Sequence, residues 1–474
     1  MKLLVNAKIF PSNKSQSILI NKNKIIFIGD RKEINISLNA SGIINCNNNT
    51  VLPGFIDGHC HPFEIVSNMS SIDLSDYQFN SKNELRNYLK NINTKNKKIL
   101  KFHGFEHRNI NSQLDLRFFD NLKIDIPLII KHRTGHLVFL NTLALKNSKI
   151  DINNYDFPIN SLAIHKKLSL EENLDFEENL ENYSQDLLEY GYTTIVDAGV
   201  GNDMEKYNKY KDLIYSNRLS SNVCYMLGQN NINQFKNATT NDNLYLGPSK
   251  FMFQENTAIE EIENTLKDFL SINKNDIAFH AISSEMIFKI LYTLFEKLNE
   301  YLEKRIIRLE HATEFIADSY KEYSSRNLHL IFNPNFIYDH GDFYINHQDD
   351  FDIESLFGIK DSLRNNFKIG FGTDSPFGSI DPMKIIASAK NRATKNNNLI
   401  GVNNKINFKQ IINALTKNNA IAINKKKVIG SIETGKNADI IILNNQITET
   451  TNTDGIQVNY TIINGESKYI REIN

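Results

Sequence analysis

The chain is 474 residues long, 41% hydrophobic and 23% charged, the proportions of a globular protein, which exclude a disordered or fibrous chain. Lys+Arg 54 against Asp+Glu 55 leaves a net charge of −1, too balanced to attract a polyanion or an anionic lipid surface, so neither nucleic acid nor membrane is an expected partner. Three scattered cysteines, Cys46, Cys60 and Cys224, offer neither a disulfide framework nor a Cys-x-x-Cys zinc site; without an apolar run of signal or spanning length, the expected compartment is the cytoplasm.

In chain order, Leu3 to Asp30 reads as short β segments broken by polar turns. The far end is alike, with strands at Ala438 to Asn444 and Tyr460 to Ile470 and a hairpin signal at Asn464-Gly465. Two β-rich ends suggest one small β-sandwich domain, 1–50 plus 430–474, shared by the termini. Between them, apolar runs alternate with helical stretches. Eight strands are expected at 51–57, 193–198, 222–227, 249–253, 276–281, 305–311, 328–332 and 367–374. A helix over Thr257 to Leu270 opens on a Thr257-x-x-Glu260 capping box, and another covers Glu285 to Leu302. Closed on themselves, eight such units form a (β/α)8 TIM barrel over 51–61 plus 191–429.

The gap 62–190 is too long for a βα connection and is expected to be an α+β insertion covering the active site. It contains a helical Ser81 to Ile92 with a Ser81-x-x-Glu84 cap, apolar runs at Ile99 to Phe105 and Ile126 to Lys131, and an amphipathic Leu174 to Tyr190. Removing it leaves roughly 250 residues, the usual barrel size.

Pro53-Gly54-Phe55-Ile56-Asp57-Gly58-His59-Cys60-His61 carries the most chemistry. Strand alternation puts His59 and His61 on one face, about 6.6 Å apart along the chain, so two imidazoles can grip one ion. An isolated His-x-His is more often a hydrogen-bonding pair, but this one falls at the carboxyl end of the first barrel strand, where barrel active sites form. Further ligand types stand at later strand ends: His280 closes the fifth, His311 the sixth and Asp374 the eighth. Asp57 shares the face of His59 and is expected to support the ligands rather than bind.

These residues resemble the amidohydrolase superfamily. The matching stretches are PGFIDGHCH (53–61), His280, EHA (310–312), GTDSP (372–376) and GSIETGKNADIIIL (430–443), and the likeness covers nearly the whole chain. GFEH (104–107), RTGHLVFLNTLAL (133–145), GYTTIVDAG (191–199) and GPSKFMF (247–253) resemble the branch with a long insertion after the first strand, whose members include N-substituted formamide deformylases and YtcJ-like proteins. The resemblance implies one or two divalent metal ions, Zn²⁺ first among them, held by His59, His61, Lys250, His280, His311 and Asp374. Lys250 would serve as a carbamate, since two adjacent cations need a bridging anion where an ammonium would repel them.

Asp374 would be the catalytic base, and Glu106, Arg133, His136 and Asn335 would bind substrate. The implied activity is hydrolysis of a C–N bond, in an amide, formamide or cyclic amide, by metal-activated water acting on a small molecule; a homodimer is compatible with the sequence. Two alternatives stand beside it: deamination of a heterocycle, whose usual Glu three residues after the fifth-strand histidine is here Ser283, and a non-catalytic scaffold that has lost its metals. Ala281-Ile282-Ser283-Ser284, Phe105 and Gln254-Glu255-Asn256 depart from the branch pattern and leave the substrate open.

Overall fold

The computed structural model describes residues 1–474 except 13, 35–41, 96, 111–112, 134, 136, 161–163, 165–174, 350, 449–450, 452 and 473–474. The chain forms two compact units, Met1–His61 with Ser184–Asn474, and Pro62–Tyr183. The second ends inside the helix Phe176–Glu189 rather than at residue 190.

In the first unit both chain ends build one sheet, ordered Glu466–Ile470, Val458–Ile463, Ile440–Leu443, Thr50–Pro53, Lys2–Ile9, Ser15–Asn21, Lys24–Gly29, with Ile43–Asn45 also on Lys2–Ile9. The two-residue turn Asn464-Gly465 has φ of 50° and 77°, the left-handed pair that a tight hairpin needs and glycine supplies without strain. The sheet curls until Lys24 bridges Asn437, and alternate residues Leu4, Ile18, Val51, Ile440 and Ile462 fill its interior.

Eight parallel strands form the second sheet: Phe55–Cys60, Tyr192–Asp197, Asn222–Gly228, Leu244–Phe251, Ile277–Ala281, Ile307–His311, Leu328–Phe332 and Lys368–Phe371. This is the barrel, with its strands in sequence order. The first strand differs from expectation because 51–57 divides at Gly54: Thr50–Pro53 pairs with the terminal sheet, and only Phe55 onward joins the barrel. The fourth begins earlier, at Leu244, and the eighth stops at Phe371, leaving 372–374 as loop. Two helices also differ. The Thr257 capping box does not form; the helix runs Ile259–Ile272 from an N-cap at Ala258. The expected Glu285 to Leu302 helix is α only over Ser284–Tyr292, then passes through a π turn at Thr293–Lys297.

Among the described residues no ladder joins the eighth strand to the first. Side chains do most of the closing at that seam. Helices Phe408–Leu415 and Lys417–Ala422 pack on both strands, the former anchored by an Asn407/Gln410 capping box and by buried Phe408, Ile411, Ile412 and Leu415 at helical spacing. From Lys417–Ala422, Asn419 Nδ2 donates to the carbonyls of Ile56 and Phe371, both at 2.7 Å. The approach is so close that a Cβ on Gly370 would stand 2.2 Å from Asn419 Oδ1, so only glycine fits there. Asp57 forms the second clasp, accepting from Thr373 N at 2.9 Å and Thr373 Oγ1 at 2.6 Å.

The Pro62–Tyr183 unit has its own five-stranded mixed sheet, ordered Ile159–Asn160, Leu137–Leu140, Leu128–His132, Leu100–Phe105, Ile72–Asp73, over a core that includes Leu85, Phe102, Phe119 and Phe139. Its helix Lys82–Lys90 is capped as expected, Ser81 Oγ accepting from Glu84 N. No helix among the described residues is long and apolar enough to cross a membrane.

Replacing Asn419 with Ala strands two buried carbonyls, each costing about 1–3 kcal/mol when unsatisfied. The variant should therefore lose about 2–6 kcal/mol in denaturant melts, with unchanged far-UV circular dichroism before the transition.

Candidate metal centre

Every residue of Phe55–Cys60 is buried, so His59 enters the barrel mouth from a rigid strand, with His61 one step beyond it. On the sixth strand Arg308 and Glu310 lie two apart and share the interior face. His311, next in line, would point outward, but its φ of 72° turns it. Asp374 likewise has φ 52°. For residues with a Cβ this left-handed backbone costs about 1–3 kcal/mol and is kept only where the surroundings impose it. Here they do: Asp374 N donates to His59 O at 2.7 Å, His61 N to Ser375 O at 2.9 Å, and Ser375 Oγ to Gly378 O at 2.8 Å.

The side chains converge. Ligand atoms of His59, His311 and Asp374 all lie within 4.8 Å of one another. Asp374 Oδ1 is 3.3 Å from His59 Nε2 and 3.1 Å from His61 Nε2, and His311 Nε2 is 3.0 Å from His280 Nδ1. Two ligands bound at 2.0–2.1 Å on a tetrahedral ion stand about 3.3 Å apart, so these spacings suit chelation. Asn333 Oδ1 accepts from His311 Nδ1 at 2.9 Å, which leaves His311 Nε2 with its lone pair directed at His280.

Lys250 sits on the fourth strand, 3% exposed, and its Nζ has no hydrogen-bond partner. Burial, with the repulsion of Arg308, pushes this amine down to about 8 against the pull of Glu310 and Asp374. Burial also lowers His311 to about 3, keeping it the neutral imidazole that a metal requires. Burial alone would raise the Asp374 carboxyl; His311 and hydrogen bonds from His59 and His61 hold it well below the usual range. Imidazoles, a carboxylate and a partnerless buried amine thus fit a divalent cation.

Three residues at this site escaped the sequence reading. Glu310 Oε2 is 2.5 Å from His59 Nδ1, and Arg308 Nε donates to Glu310 Oε1 at 2.7 Å. The signal for them was the alternating Arg308-x-Glu310 on a strand that had to be buried. Asn333 carried no signal. Of the expected substrate-binding residues, Asn335 is buried and its Nδ2 braces the loop after Asp374, donating to Thr373 O at 2.7 Å and Ser379 O at 3.3 Å. Glu106 and Arg133 meet in the Pro62–Tyr183 unit at 3.6 Å, and His136 lies outside the described residues. Glu106, His107 and His132 also bring ligand atoms within 4.8 Å. The guanidiniums of Arg108 and Arg133 already stand on Glu106, which opposes a cation there.

The model of the family described as the amidohydrolase family matches residues 42–469. Similar solved structures include an uncharacterised metal-dependent hydrolase from Pyrococcus horikoshii OT3, at 20% identity and TM-score 0.74, covering 96% of this chain and 99% of that one. Another, from Pyrococcus furiosus, has 20% identity and TM-score 0.70, covering 93% and 98%. Guanine deaminase of E. coli has 12% identity and TM-score 0.58, covering all of both chains at 100% and 100%. At these identities the likeness is one of fold. No curated protein matches the sequence.

Lys250 makes stability depend on pH in a definite direction. Its folded value near 8 lies below the ordinary 10.5, so between these values the unfolded chain binds a proton that the native state does not, and stability rises with pH. Below pH 8 the native state bears the whole penalty, on the order of 3 kcal/mol. In chelated, CO2-depleted buffer, Lys250→Met should be more stable than wild type by about that amount at pH 7. The gap should close towards pH 10, as denaturant midpoints at each pH will report.

Proposed function

The chain belongs to the amidohydrolase family, and from that membership we propose that it is a metal-dependent hydrolase that opens a C–N bond in an amide, formamide or cyclic amide of a small molecule. The observation that carries this reading is the convergence of His59, His61, His311 and Asp374, with His280 against His311, at one mouth of a barrel that also buries the partnerless amine of Lys250. When bound, a divalent metal, Zn²⁺ being well suited to imidazoles, lowers the pKa of water to about 7 and polarises a carbonyl oxygen.

The chain's own groups do the rest. His59, His61, His280 and His311 would hold the ion through their imidazoles. Asp374, kept ionised by its histidine neighbours, accepts a proton from the attacking water and returns it to the departing nitrogen. Lys250 accounts for the anion that a second cation needs: its neutral amine adds to CO2, releases one proton and becomes a carbamate with two ligand oxygens. Glu106, Arg133, His136 and Asn335 remain the proposed substrate-binding set, Asn335 through the loop that it braces. Heterocycle deamination has less support. Ser283, at the position where that chemistry uses a Glu, caps the helix Ser284–Tyr292 by accepting from Met286 N, and its Oγ donates to Glu255 Oε2 at 2.7 Å.

The test is metal analysis by mass spectrometry on protein purified without chelator, beside hydrolysis assays on a panel of N-formyl and cyclic amides. Wild type should carry metal; Lys250→Ala should hold fewer ions per chain and lose activity by several orders of magnitude, with partial recovery on adding small carboxylic acids. Wild type that takes up no metal even after Zn²⁺ loading would remove the hydrolase reading in favour of a scaffold.

A further inference from the structure

His59 is gripped from both sides. Its Nε2 faces Asp374 Oδ1 at 3.3 Å, and its Nδ1 faces Glu310 Oε2 at 2.5 Å. Glu310 is itself fully buried and cannot turn away, because Arg308, also fully buried, donates to Glu310 Oε1 through Nε at 2.7 Å and to Oε2 through Nη2 at 3.0 Å. The same Nη2 donates to Gly58 O at 2.7 Å, which ties the guanidinium to the residue preceding His59. Arg308, Glu310, His59 and the Gly58 carbonyl thus form a closed ring of contacts between the sixth and first barrel strands, which are not neighbours in the sheet. A buried ion pair of this kind is seldom retained for stability, since desolvation can exceed the attraction and an apolar pair often does as well.

Resting on the metal-dependent reading above, we infer that Glu310, clamped by Arg308, is a positioning residue that holds the proton of His59 on Nδ1 and aims the Nε2 lone pair at the ion. A carboxylate behind an imidazole fixes its tautomer and ring orientation and raises its basicity; loss of such a partner typically costs about 10–100-fold in metal affinity. Glu310 meets the ligand set through His59 Nδ1, and it also acts electrostatically on Lys250. Behind His311 stands the neutral Asn333 Oδ1 at 2.9 Å, with Asp374 Oδ2 farther off at 3.8 Å, whereas behind His59 stands the Glu310 carboxylate itself.

The experiment compares wild type, Glu310→Gln, Glu310→Asp and the double variant R308M/E310Q. The double variant guards against an orphaned guanidinium, which could by itself unfold the single one. Zn²⁺ affinity is read by competition with a chromophoric chelator, fold by circular dichroism and thermal melting, and the His59 tautomer by long-range ¹⁵N–¹H spectra of metal-free protein at a pH where imidazoles are neutral. The inference expects the double variant to fold, to bind Zn²⁺ about 10–100-fold more weakly and to lose the Nδ1–H signature of His59, with Glu310→Asp recovering part of both. Zn²⁺ affinity within twofold of wild type in a folded double variant, or an unchanged tautomer, overturns it. Should even wild type fail to bind Zn²⁺, the hydrolase reading falls, and the metal-free tautomer still decides whether Glu310 orients His59.

Discussion

The seam between the first and eighth barrel strands is the constraint on which this molecule depends. A parallel barrel normally closes by continuing its ladder around the ring, but here the last step is made largely by side chains, Asn419 to the carbonyls of Ile56 and Phe371 and Asp57 to Thr373, with two backbone bonds beyond the strand ends. Each of these bonds contributes only about 1 kcal/mol net, yet leaving its buried partner unmet would cost more, so the clasp is hard to undo piecemeal. The ligand set straddles the same seam. His59 and His61 come from one side and Asp374 from the other, joined by the bond from Asp374 N to His59 O. Closing the barrel and assembling the site are therefore one event, and the left-handed backbone of Asp374 is imposed by it.

The barrel interior is unusually ionic. Lys250, Arg308, Glu310 and Asp374 are all buried, where a chain selected only for stability would place aliphatic side chains. Two of them are cations and two carboxylates, and each carboxylate has partners: Arg308 and Lys250 act on Glu310, and His59 and His61 face Asp374. Lys250 is the exception in hydrogen bonding, and its amine is left to carry its own desolvation.

Much of this could be read from the sequence, for a physical reason in each case. Strand period alone put His59 and His61 on one face, and the count of apolar runs placed His280, His311 and Asp374 at the carboxyl ends of later strands. What escaped depends on contacts between distant segments. Glu310 meets His59 only once the first and sixth strands face each other across the barrel, and Asn419 lies 363 residues from Ile56. Local signals also failed where packing outweighed them. The Thr257 box is bypassed for an uncapped start at Ala258, and 51–57, continuous in hydrophobicity, divides because Pro53-Gly54 lets the chain pass from one sheet to the other.

The terminal sheet has a consequence for how the protein comes into being. Thr50–Pro53 is hydrogen-bonded between Lys2–Ile9 and Ile440–Leu443, so a strand made early in translation waits for one encoded nearly four hundred residues later. At the usual pace of about 5–20 residues per second, that interval is on the order of 20–80 s. Throughout it the amino-terminal strands present an open, apolar edge to solvent or to a chaperone, and Asn419, the clasp of the barrel, emerges just before the wait ends. Synthesis therefore delivers a nearly complete barrel whose ring and whose end sheet are both sealed by residues 419–470, and a ribosome that stalls before them would release a chain with neither.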